Sequence, residues 1–168
     1  TLTADFGSIK LDNANADLVR LISDAGNVLA SNVNCDDIKL MTDAGNLKIF
    51  NSDVDSCNMK SSAGSISANR LSADELKMQT SAGSIAIEDL ANTIDTIEAK
   101  TDAGNIKAGL SNLDNEITVK MRSSAGSLNY SDDFKLINSS TGNKEIYKDG
   151  GDTLDVVLTT NFGNVKVY

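Results

Sequence analysis

The sequence predicts an all-β fold, a single-domain parallel β-solenoid (β-helix) running through residues 1–168. Three observations predict it. A short phrase built on Ala-Gly returns along the chain, its glycines stand nineteen residues apart from Gly7 to Gly83, and apolar and polar residues alternate on both sides of them. Repetition at a fixed period of this size marks a stacked-coil architecture. A period of two is that of strands with one face turned inward.

The phrase is clear in Asp24-Ala25-Gly26-Asn27, Asp43-Ala44-Gly45-Asn46, Ser62-Ala63-Gly64-Ser65, Ser81-Ala82-Gly83-Ser84, Asp102-Ala103-Gly104-Asn105 and Ser124-Ala125-Gly126-Ser127. Degenerate copies surround Gly7, Gly142 and Gly163, and the later steps are 21, 22, 16 and 21 residues. Seven residues before the glycine stand Val19, Ile38, Cys57, Leu76, Ile97, Val119 and Val156, and five before it Leu21, Leu40, Met59, Met78, Ala99, Met121 and Leu158. Two after it stand Val28, Leu47, Ile66, Ile85, Ile106, Leu128 and Val165. One such coil cannot bury its inner face alone. Stacked as parallel strands about 4.8 Å apart, about eight to nine coils would form a rod roughly 40 Å long. Right-handed coiling is expected from the general preference of parallel crossovers. A leucine-rich repeat has an overlapping period but needs a helical segment in each unit, whereas Ile66-Ser67-Ala68 keeps alternating.

The corner itself reads as a type II turn, with Gly26, Gly45, Gly64, Gly83, Gly104 and Gly126 supplying the positive φ of its third position. Asp pairs with Asn, and Ser with Ser, around each clear copy, which suggests that the two flanking side chains meet across the corner. The alanine is expected to be small because neighbouring coils crowd it. That position becomes Phe6 in the first copy and Phe162 in the last, so both are read as end caps folding over the terminal coils. Asn138 to Asp155, with its Gly150-Gly151 pair, breaks the spacing and reads as a longer loop.

Function classes are bounded by what is missing. Fifteen basic and twenty-four acidic residues leave a net charge of −9, unsuited to wrapping nucleic acid. No apolar run is long enough for a membrane span, and Thr1 to Lys10 lack the apolar core of a signal peptide. The chain has no His, so Ser-His-Asp and Cys-His catalysis are excluded within it, and transition-metal sites are disfavoured. Cys35 and Cys57 lack CxxC spacing and read as free thiols used as small hydrophobes. No cofactor and no metal are expected.

The outward positions sort by charge. Arg20, Lys39, Lys77 and Lys120 lie six before the glycine and Lys60, Lys100 and Arg122 four before it, forming a basic strip. It reads either as a docking face for an anionic polymer or partner, or as a solvated face whose lysines discourage edge pairing. Asp17, Asp36, Asp55, Asp74 and Asp95 form an acidic ridge nine before the glycine. That ridge reads as turn residues bonding loop amides, or as weak Ca²⁺ sites. The Ser/Thr column three before the glycine (Ser23, Thr42, Ser61, Thr80, Thr101, Ser123, Thr160) is expected to bond neighbouring coils, the alternative being an ice- or sugar-binding array. Met59, Met78 and Met121 are core fillers. The one irregular stretch, Asp132 to Asp155, is where an enzyme's carboxylates would have to converge.

The phrases Thr80 to Ile85 and Thr101 to Ile106 resemble those of an adhesin-labelled family of bacterial β-solenoid domains of unknown function, and the resemblance covers nearly the whole chain. It implies an extracellular or cell-envelope domain, with any signal or anchor lying outside this chain; a cytoplasmic location stays open. It brings no catalytic residues. The resulting expectation is a non-enzymatic surface or binding module whose partner is an anionic cell-wall polymer, a glycan or an envelope protein. The alternatives are a self-assembling scaffold and a polysaccharide-active β-helix enzyme.

Overall fold

A computed structural model describes residues 1–168. The protein is all-β, and its strands are β1 (Leu2–Phe6), β2 (Ile9–Asn15), β3 (Leu18–Ala25), β4 (Val28–Ala44), β5 (Leu47–Ala63), β6 (Ile66–Ser72), β7 (Glu75–Ala82) and β8 (Ile85–Leu90). They continue as β9 (Thr96–Ala103), β10 (Ile106–Ala108), β11 (Glu116–Ala125), β12 (Leu128–Tyr130), β13 (Lys135–Ser140), β14 (Asn143–Lys148), β15 (Thr153–Phe162) and β16 (Val165–Val167). No helix is long and apolar enough to cross a membrane.

The chain winds into a β-solenoid in which about six successive turns, with corners from Gly7 to Gly104, stack in chain order. Equivalent residues lie opposite each other in parallel register: Leu21 on Leu40, Leu40 on Met59, Met59 on Met78 and Met78 on Ala99. All five are essentially inaccessible, and the inner columns merge into one cluster of 41 buried hydrophobic residues. Each fully buried Leu, Ile or Val contributes about 1.5–3 kcal/mol, so the narrow axis is a sufficient core.

After Gly104 the order of stacking departs from the order of the chain. β15 does not follow β11 at the end of the rod. It lies between β9 and β11, parallel to both, with Val156 opposite Ile97 on one side and Val119 on the other. β16 likewise separates β10 from β12. The last segment of the chain is therefore an interior coil.

This placement corrects the reading of the ends. Phe162 sits between Ala103 and Ala125 and is 67 % exposed. It caps nothing, because the corner alanine column points outward and a larger side chain there meets solvent in any coil. Phe6 does belong to the first coil, but at 86 % exposure it does not cover the core. The far end is closed by the segment expected to be a loop: β13 and β14 form an antiparallel hairpin laid on β11, with Ile146 buried opposite Val119. Gly142 is the hairpin's turn residue at φ 73° and not a solenoid corner.

The corners are not type II turns. From Gly26 to Gly126 the six clear copies have φ between 153° and 157°. What demands glycine is the coil beneath: a Cβ would stand 1.9–2.1 Å from the carbonyl oxygen of the adjacent corner glycine. The crowding assigned to alanine thus belongs to glycine. Flanking side chains do not meet across a corner but bond along the rod. The oxygen of Asn27 accepts the amide of Asn46, and that of Asn46 the amide of Ser65. Ser62 donates to Asp43 in the same vertical sense.

The Ser/Thr column is buried and bonds neighbouring coils. Ser23, Thr42, Ser61, Thr80 and Thr101 each donate to the carbonyl of the preceding corner glycine at 2.9–3.2 Å. Thr160 and Ser123 extend the column across the interleaved coil, to Gly104 and Gly163. Seven corner carbonyls, those of Gly7, Gly26, Gly45, Gly64, Gly83, Gly104 and Gly163, are thereby satisfied from the adjacent coil.

Candidate functional site

The outward residues of the basic strip fall on two parallel columns. Arg20 lies opposite Lys39, Lys39 opposite Asn58, and Asn58 opposite Lys77. Lys60 lies opposite Gln79, which lies opposite Lys100. The interleaved coil then cuts the strip, placing Val157 and Thr159 between Glu98 and Lys100 on one side and Lys120 and Arg122 on the other. The seven cations are therefore not one continuous surface.

They also differ in freedom. Lys77 is held by Glu75 at 3.3 Å and Glu98 at 3.5 Å. The hydrogen bond that Lys77 donates to Glu75 raises its pKa, and the charges of Glu75 and Glu98 add to it. Lys120 stands 4.0 Å from Glu145. Arg122 makes neither an ion pair nor a side-chain hydrogen bond. It sits at the edge of a concavity of about 360 Å³ formed where the capping hairpin, β11 and β15 meet. Asn143 pairs with Arg122 across the antiparallel ladder, Thr159 flanks it from β15, and Ser140 lies opposite Asn143. A free guanidinium among an amide and two hydroxyls can take an anionic group bidentately. Val157, 42 % exposed, adds an apolar patch to the same wall.

Other cations of this end are structural. Lys144 donates to the Leu128 carbonyl at 2.9 Å and lies over the Tyr130 ring. Lys148 donates to the carbonyls of Ser111 and Leu113, pinning the loop before β11 beneath the hairpin.

The acidic ridge stays exposed, and none of Asp17, Asp36, Asp55, Asp74 and Asp95 accepts a side-chain hydrogen bond from a loop amide. No three acidic or cysteine side chains gather closely enough to hold a metal ion. Cys35 and Cys57 are buried and unpaired. Burial pushes the Cys35 thiol up to about 11, with Asp36, Asp37 and Asp55 adding, and the Cys57 thiol up to about 12. Neither is a nucleophile at neutral pH.

One set of residues escaped the sequence reading. Asn13, Asn32, Asn51, Arg70 and Asp89, six after each corner glycine, adopt left-handed φ of 49–55°. They make a second corner at which the inward phase shifts: Leu47 and Ile49 are buried before Asn51, Ser52 and Val54 after it. The column was legible as Asn, Asn, Asn, Arg, Asp at nineteen-residue spacing, since Asn and Asp tolerate this conformation.

Among family models, residues 1–168 match the one described as Toastrack DUF4097. No curated protein and no solved structure matches the chain.

Proposed function

The chain belongs to the Toastrack DUF4097 family of domains of unknown function, and from that premise we propose that it is a non-enzymatic, adhesin-like binding module of the cell envelope or cell surface. It holds an anionic group of a wall polymer, glycan or envelope partner at Arg122. On this reading the rod has eight coils, one for each corner glycine once Gly142 is set aside, in right-handed succession, as the crossover preference favours.

One observation carries the proposal: Arg122 has no acidic partner and lies in a concavity that it shares with the hydroxyls of Ser140 and Thr159. The concavity also departs from the repeat, as a specific site in a repetitive protein must. It holds one carboxylate, Glu145, already beside Lys120, whereas glycoside hydrolysis asks for two. Titration calorimetry with poly(glycerol phosphate) at about 0.15 M salt, where the screening length is about 8 Å, tests the assignment. Arg122→Gln is expected to weaken binding about 10–100-fold, the scale of a lost charge-assisted bidentate pair. Lys39→Glu, remote from the concavity, is expected to change it by less than about threefold. Equal losses in the two variants would return the reading to a diffuse electrostatic face.

End-to-end assembly has its own support. The edge strand β13 is exposed throughout, with Leu136 at 48 % and Ile137 at 57 %. It is antiparallel to β14, which is antiparallel to β11, so β13 runs in the same direction as the solenoid strands and can accept β1 of another copy in parallel. Light scattering across a dilution series tests this reading. A constant monomer mass eliminates it.

A further inference from the structure

We propose a second, independent binding site, a glycan trough along the left-handed corner, with Arg70 as its recognition residue. The trough is a shallow, open depression of about 580 Å³ that runs over four turns. Asn32, Asn51, Arg70 and Asp89 form one rim, and Asn34, Asp53 and Ser72 the other. From Asn32 to Asp89 it extends about 14 Å at the spacing of adjacent strands.

Arg70 is the anomaly of the column. Its φ is 49°, a region that Asn and Asp enter readily and longer side chains only at a cost of about 1–2 kcal/mol. The neighbouring turns use Asn and Asp there; this turn holds a strained arginine at the middle of a groove. Backbone strain of this kind points to a functional demand on the side chain. The demand is not structural, because Arg70 makes no ion pair and no side-chain hydrogen bond. Asn34, Asn51, Asp53 and Asp89 likewise leave their side chains unengaged.

The chemistry selects the ligand class. One guanidinium between two carboxylates leaves the trough without a positive field, so an anionic polymer is not favoured. Amides, carboxylates and a guanidinium offer both donors and acceptors along the two rims, the complement of vicinal hydroxyls, which both donate and accept. The ligand is an uncharged, hydroxyl-rich glycan lying parallel to the rod axis, with Arg70 donating to two adjacent oxygens of one ring.

The test uses two variants and two neutral probes, cellotetraose and fully N-acetylated chitotetraose, followed by titration calorimetry and urea unfolding. Arg70→Asn removes both the fork and the strain. It is expected to raise the urea midpoint while weakening the better probe at least tenfold, a combination that misfolding cannot produce. Arg122→Gln is expected to bind that probe as the parent does, which separates this site from the anionic one. The proposal is overturned if neither probe binds, if Arg70→Asn binds as the parent does, or if the loss follows Arg122→Gln instead.

Discussion

Replacing Gly64 by alanine tests the packing of the corners, and Gly7→Ala supplies its internal control. At Gly64 the new Cβ would lie 1.9 Å from the Gly45 carbonyl oxygen, whereas such contacts in proteins essentially never fall below 3.0 Å. The obstacle is backbone, so it cannot swing aside, and the two coils must separate locally by about 1 Å. That displacement stretches the bond from the Gly45 amide to Ala63, now 2.9 Å, and the one from Ser61 to the Gly45 carbonyl, now 3.1 Å. It also strains the contact of the Ser65 amide with Asn46, now 2.8 Å. At about 4 Å none of these is a hydrogen bond. The losses are about 1 kcal/mol for each backbone bond and about 1–3 kcal/mol for the Ser61 hydroxyl left buried without a partner. Gly7 has nothing within 4 Å of the equivalent position, although its φ of 103° also disfavours alanine. Both variants therefore carry a conformational cost of about 1–3 kcal/mol, and only Gly64→Ala carries the steric one. Urea unfolding followed by circular dichroism should place Gly64→Ala about 2–4 kcal/mol below Gly7→Ala. If the two variants lose the same stability, the glycine column is a matter of backbone conformation and not of coil contact.

Three further outcomes follow from the same coordinates. Thr80→Val keeps shape but removes the donor to the Gly64 carbonyl at 2.9 Å, and should cost about 1–2 kcal/mol in the same assay, while Thr80→Ser retains most of the stability. Cys57 should resist thiol reagents until the protein unfolds. Its folded pKa of about 12 lies above the ordinary thiol value of 9.0, so the folded state holds its proton longer. Stability is then intact below pH 9 and falls as pH rises from 9 toward 12, at about 1 kcal/mol per unit, a slope that Cys57→Ala should flatten. Ending the chain before Thr153 removes β15 and β16 and leaves β9 and β11 without a common neighbour. Hydrogen exchange should then show β11 and the β13–β14 hairpin unprotected while β3 to β7 keep their protection.

The regular part of the fold was written plainly in the sequence, because each coil imposes the same demand on the same position. Val19, Ile38 and Cys57 recur where an inner column needs them, and Thr42 and Ser61 where a carbonyl needs a donor. What could not be read was order in space. The copies around Gly126 and Gly163 fit the stacking rule equally well, and nothing in a local phrase says which of two similar coils lies against Gly104. The error at Phe162 came from equating the end of the chain with the end of the rod. The concavity at Arg122 was hidden for the same reason: β11 and β15 meet only because the chain doubles back. The Arg70 column was legible as Asn, Asn, Asn, Arg and Asp at nineteen-residue spacing, but the depression beside it depends on backbone angles that spacing does not give.

The interleaving divides the molecule by its tolerance of change in length. Between Gly26 and Gly83 a unit of nineteen residues has identical neighbours above and below, so gaining or losing one lengthens or shortens the rod without altering any contact rule. Beyond Gly104 no such edit exists. The slot that receives the final residues is walled by strands made earlier in the chain, and shortening the protein from that side opens a gap within its body. Descendants of this sequence are free to differ in the number of early repeats, while the closing third has to be inherited whole.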